Sequence, residues 1–70
     1  MNQNEKRFCD AARKVFHEDG SIRVCGRDSV RELMEAAKQI DPTRDFGDQE
    51  VGRMNVDTVW SLLTEIKAKE

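Results

Sequence analysis

The sequence contains no tyrosine, one tryptophan, one histidine, one proline and only two cysteines. Each shortage excludes something. Cys9 and Cys25 are too few to staple a secreted disulfide scaffold, and their spacing fits no metal site. The single histidine, His17, has neither cysteine near it in sequence, so no Cys–His nucleophile pair can be read off the chain. Neither a glycine-rich phosphate loop nor a Gly-x-Ser-x-Gly turn occurs. No aromatic residue is interleaved with basic ones, so there is no stacking platform for single-stranded nucleic acid. A long apolar run is also missing, which leaves no candidate membrane span or signal peptide. The chain is therefore expected to be cytoplasmic, with both thiols reduced and no membrane partner. Charge of one sign is lacking too: 12 Lys and Arg stand against 14 Asp and Glu, for a formal net charge of −2. That balance generates no broad field to attract nucleic acid or an acidic membrane.

The 70 residues suffice for one small domain over 1–70, with 1–3 and 67–70 expected to be frayed. Asn4 to Glu18 reads as an amphipathic helix, with Phe8, Cys9, Ala12, Val15 and Phe16 on one face. Gly20 is free to take a left-handed conformation that closes it. Ser21 to Cys25 alternates in polarity like a half-buried strand, and Gly26 ends it. A lone short strand needs a mate, and the best candidate is Arg53 to Val56. Ser29 to Ile40 is the second helix: Ser29 and Glu32 have capping-box spacing, and Val30, Leu33, Met34, Ala37 and Ile40 form its apolar stripe. Pro42 disfavours helix at Asp41. Residues 41–51 carry little periodic signal. Phe46 must anchor that stretch, and one helical turn fits Thr43 to Phe46.

The most apolar stretch runs from Gly52 to Ile66. Val56, Val59, Trp60, Leu62, Leu63 and Ile66 make a wide stripe at helical period, with Asn55 placed as N-cap and Met54 as a staple over Val59. The expected fold is mainly α, a small three- to four-helix domain with a minimal two-strand pairing.

Two glycine turns repeat a pattern. Asp19-Gly20-Ser21-Ile22 and Val51-Gly52-Arg53-Met54 both run glycine, one residue, then an apolar residue, each between possible helices. GRMNVDTVWSLL resembles the end of an EF-hand loop with its exiting helix, and VFHEDGSI resembles an entering helix and loop. The resemblance implies an EF-hand-like lobe, similar to a single lobe of a myosin light chain or calmodulin. A calcium loop needs roughly six to eight oxygen ligands at fixed positions. With Gly20 in the sixth place, the ligand places hold Val15, His17, Asp19, Ser21, Arg23 and Gly26. With Gly52 there, they hold Gly47, Gln49, Val51, Arg53, Asn55 and Thr58. One carboxylate in the first loop and none in the second cannot bind calcium, so no metal and no cofactor are expected.

No residue reads as catalytic. Cys9 fits a small core position, His17 a solvated helix end, and the carboxylates a solvated surface. Arg23, Arg27, Arg31, Arg44 and Arg53 are the arginines that a nucleic-acid surface would draw on. The first three recur every four residues, but a strand-to-helix boundary breaks their register, and the connection from Ile40 to Val56 is too long for a helix-turn-helix. The three helices carry more large apolar groups than one narrow seam uses. The surplus either packs the Phe46 loop or lines a groove. A groove of this kind would draw on Phe16, Leu33, Met34, Val59, Trp60, Leu63 and Ile66. The expectation is a non-enzymatic binding module that clasps an amphipathic, basic helix of a protein partner without calcium. A small helical regulator that binds nucleic acid through surface arginines is the alternative, and an inhibitor or adaptor using a flat surface is the third.

Overall fold

A computed structural model describes residues 2–24 and 26–69. The chain order is helix α1 (Gln3–Val15), helix α2 (Arg27–Ile40), strand β1 (Gly47–Asp48), strand β2 (Arg53–Met54) and helix α3 (Val56–Ala68). The mainly helical class with one two-stranded antiparallel pairing is as the sequence predicts.

Helix α1 begins one residue earlier than its periodicity suggests, because Asn2 and Glu5 close a capping box. The Asn2 side chain accepts from the Glu5 amide at 2.8 Å, and the Glu5 carboxylate accepts from the Asn2 amide at 3.2 Å. Two of the orphan donors at the helix start are satisfied reciprocally. The buried face is Phe8, Cys9, Ala11, Ala12 and Val15. α1 and α2 form the most extensive helix contact of the fold. Each contributes two buried alanines, Ala11 and Ala12 on one side, Ala36 and Ala37 on the other. Side chains this small permit close axial approach.

α1 ends at Val15, three residues before the predicted end. Phe16 turns extended, and the chain folds back on itself at once. His17 donates to the Ser21 carbonyl at 2.8 Å, Arg23 donates to the Val15 carbonyl at 2.8 Å, and Phe16 bridges antiparallel to Ile22. Asp19 holds the turn by accepting from both the amide and the hydroxyl of Ser21. Gly20 does take positive φ, +90°, but within this reversal and not as the close of α1.

The expected pairing of Ser21–Cys25 with Arg53–Val56 is not formed. Cys25 lies outside the described residues. The mate of the first segment is the end of α1, and β2 pairs instead with β1, Gly47 opposite Met54 and Asp48 opposite Arg53. Loop closure explains the choice: a partner a few residues away costs less chain entropy than one thirty residues away.

α2 starts at Arg27, with Gly26 as its N-cap and no capping side chain. Ser29 is inside the first turn, so the predicted Ser29–Glu32 box is not the helix start. Asp28 adds a favourable acidic charge there. The stop at Ile40 before Pro42 is as predicted. In place of a helical turn over Thr43 to Phe46, Asp41 accepts from the Thr43 amide and hydroxyl and makes an Asx turn. Arg44 then bridges Asp41 at 2.9 Å and, with both terminal nitrogens, Glu65 on α3 at 2.6 and 2.9 Å.

Each interhelical connection is pinned by one phenylalanine. Phe46 is the sole buried side chain in 41–55, and Phe16 the sole one among the described residues of 16–26. Around Phe46 the backbone is tightly specified. Asn55 donates its amide to the Phe46 carbonyl and its side chain to the Asp45 carbonyl, both at 2.9 Å. Asn55 is the N-cap position of α3, as predicted, but its side chain closes the base of the hairpin instead of capping the helix. Gly47 sits at φ +114°, where an added Cβ would fall 2.1 Å from the Arg53 carbonyl oxygen. Only glycine fits. The hairpin loop is in turn tied to α2, since Arg31 donates to the carbonyls of Gln49 and Glu50.

α3 buries Val59, Leu62, Leu63 and Ile66 and runs to Ala68, so Lys67 and Ala68, expected to be frayed, are helical; Glu70 lies outside the described residues. Met54 packs against the core at its start. Val56, counted in the predicted stripe, is exposed at its edge.

Candidate functional site: a groove between the first and third helices

The core is closed by Phe8, Val15, Leu33, Met34, Phe46, Val59 and Ile66, all at most 2% exposed. Four of the seven predicted groove residues are therefore core: Leu33, Met34, Val59 and Ile66. They cannot touch a partner in this conformation. The other three, Phe16, Trp60 and Leu63, are brought together, and they line a groove of about 380 Å³ between α1 and α3.

The groove is built in layers. Cys9 and Ala12 of α1 and Leu63 of α3 form its floor, each almost entirely buried. Phe16 continues the floor where α1 gives way to extended chain. Trp60 stands half-buried at its mouth, its ring centroid 5.3 Å from that of Phe16 at an interplanar angle of 63°. Edge-to-face pairs of this kind contribute about 0.5–1.5 kcal/mol beyond area burial. The indole also lies against Gly20. A Cβ there would sit 3.3 Å from Trp60 Cζ2, in addition to the strain of φ +90°. The indole thus meets two residues of the chain reversal that follows α1, Phe16 and Gly20.

Arg13, His17, Glu18, Arg23 and Lys67 form the rim. Arg23 is held in place by donating from Nε to the Phe16 carbonyl at 3.1 Å. Arg13 has an ion pair with Asp10 at 3.8 Å, but both side chains are largely exposed, at 82% and 58%. Such pairs are worth little. Among the described residues neither Arg23 nor Lys67 makes an ion pair. The rim is net basic although the whole chain is net acidic. A basic target helix, expected from the overall charge, would meet its own sign here. Net charge is a sum over the molecule, and apart from Glu18 on the rim and Asp10 beside Arg13 the acidic residues lie elsewhere.

Sequence reasoning missed the rim because its cations come from α1, the connection and α3. It missed Gly20 because the indole that Gly20 supports is forty residues away. Trp60 and Leu63 were legible, and Lys67, four residues beyond Leu63 on the same face, carried a usable signal.

Cys9 and His17 both border this groove. About 9 Å of helical rise separates Cys9 from the end of α1, before the chain reaches His17. Among the described residues no group of three or more His, Cys, Asp or Glu could hold a metal ion, and no helix is long and apolar enough to cross a membrane. The carboxylates held below their ordinary pKa are structural. Asp19 is lowered by its Ser21 hydrogen bonds, Asp41 by Thr43 and then Arg44, and Glu65 by Arg44.

Of the arginines considered for nucleic acid, Arg31 is engaged by the hairpin carbonyls and Arg44 by Asp41 and Glu65. Comparison with protein-family models, with curated proteins and with solved structures finds no match to the chain. The fold and groove define a small, mainly helical domain with one two-stranded hairpin and one aromatic-lined cleft.

Proposed function

We propose that the chain is a non-enzymatic protein-binding module that seats an amphipathic helix of a partner in the groove between α1 and α3, independently of calcium. One observation carries the proposal: Trp60 is half-buried at the mouth of a cleft with an apolar floor and is already packed against Phe16 and Gly20. An aromatic already packed loses little freedom on binding, and residues of this type dominate binding energy at interfaces. The cleft sits at the small end of ligand-site volumes, about 300–1,000 Å³, which suits one or two anchor side chains of a helix.

An EF-hand-like lobe, light-chain-like in its use, is part of the same proposal. A helix, a glycine turn and a second helix occur around both Gly20 and Gly52. Both short strand segments pair within their own loop, which departs from the cross-loop ladder that the resemblance implies. Use of the surface arginines on nucleic acid has less in its favour, since Arg31 and Arg44 are engaged within the fold.

The test is capture of partners on the intact chain and on Trp60→Ala in parallel, with and without chelator, followed by mass spectrometry. The expected result is a partner retained in chelator and lost from a Trp60→Ala variant that still melts cooperatively. A partner held equally well by the folded variant would overturn groove binding.

A further inference from the structure

We infer that the helix seated in this groove is acidic, with carboxylates flanking its apolar anchor, and not the basic helix that the chain's net charge suggests. The inference rests on the groove-binding proposal and adds the chemistry of the partner.

Charge complementarity carries it. Arg13, Arg23 and Lys67 stand at the rim with His17, against a single carboxylate, Glu18. The cations arrive from three separate elements and surround one apolar platform, Phe16 with Trp60. A cationic stripe along one solvated helix face would lack that convergence. Arg23 is positioned, because its Nε donates to the Phe16 carbonyl at 3.1 Å while its guanidinium makes no ion pair among the described residues. Lys67 lies one turn beyond Leu63 and two beyond Trp60, so α3 presents apolar floor and cation on the same face. Asp10 offsets only Arg13, across 3.8 Å between exposed groups. An incoming helix with Leu or Phe on Trp60 places residues three and four positions away over the rim. Glu or Asp at those positions meets Arg23 and Lys67. Lys or Arg there meets like charge, and like-charge juxtaposition excludes wrong partners more strongly than attraction rewards right ones.

The test uses three synthetic helical peptides: one apolar face with Glu on the flanking positions, the same face with Lys there, and the Glu peptide with its anchor replaced by Ser. Binding to the full chain is followed by Trp60 fluorescence and by anisotropy of labelled peptide. The Glu peptide should bind tighter than the Lys peptide by roughly tenfold or more, the combined effect of two rim pairs changing sign. The gap should shrink in about 1 M salt, where the Debye length falls to ~3 Å. It should also shrink in Lys67→Glu, an exposed position whose change leaves the fold intact, and in Arg23→Gln. The Ser peptide should bind weakest. Equal or tighter binding of the Lys peptide, with Trp60 responding, overturns the acidic assignment and leaves groove binding standing. Failure of both anchored peptides to perturb Trp60 overturns both. Tight binding of the Ser peptide without a Trp60 response also overturns both, because attraction then acts without the groove.

Discussion

Replacing Phe46 with alanine should remove a large share of the stability of this domain. Its ring has no exposed surface, and no other side chain of the fifteen-residue connection 41–55 is fully buried. Truncating a buried phenylalanine costs about 3–5 kcal/mol, since the transfer energy is lost and a cavity remains. A chain of this length has a total stability of roughly 3.5–10 kcal/mol, at 0.05–0.15 kcal/mol per residue. The fall in Tm would be roughly 12–40 °C, at 4–8 °C per kcal/mol. Urea unfolding read by Trp60 fluorescence and by far-ultraviolet ellipticity measures the loss. Phe46→Leu, which retains most of the apolar volume, should lie between the wild type and alanine and stay folded. A cost below about 1 kcal/mol for alanine, smaller than any buried Phe truncation, would mean that the hydrogen bonds of Asn55 and Arg44 hold the connection without its ring.

Gly20→Ala should lose about 1–3 kcal/mol from its positive φ and shift Trp60 emission by displacing the indole, whereas Gly26→Ala, with open space around it, should change stability by less than about 1 kcal/mol. Equal melts and spectra for the two would refute the contact between Gly20 and Trp60. Asp41 and Glu65 both have folded pKa values below their ordinary ones, so their stabilisation is present at neutral pH and lost as pH falls below about 4.5 and through the folded values. Arg44→Gln should flatten that acid limb of the Tm profile, and an unchanged limb would contradict the bridge. Millimolar calcium should alter neither Tm nor Trp60 emission, and a change saturating at micromolar calcium would contradict the proposed metal-free loops.

The three helices were legible because Phe8, Leu33 and Val59 each belong to a stripe of helical period. Their ends were less so. The Asn2–Glu5 box and the Ser29–Glu32 pattern look alike in sequence, and only the first is used. Alternation in Ser21–Val24 signals extended chain but not the identity of its mate, and the nearest chain was the mate. Among the predicted groove residues, periodicity could not separate Val59 and Ile66, which face inward, from Trp60 and Leu63, which border the cleft. They differ by about one step around the same helix. Which neighbour covers which side is decided by tertiary packing, and so was the convergence of Arg13, Arg23 and Lys67.

The most direct test of groove binding is Trp60→Ala, read by a pair of thermal melts and a titration with the helical peptide that carries flanking Glu residues. Trp60 is only half-buried and stands at the rim of the core. The variant should retain a cooperative melt and lose peptide affinity by tenfold or more, a cost of at least about 1.4 kcal/mol. A variant that melts normally and binds the peptide with unchanged affinity would contradict the account.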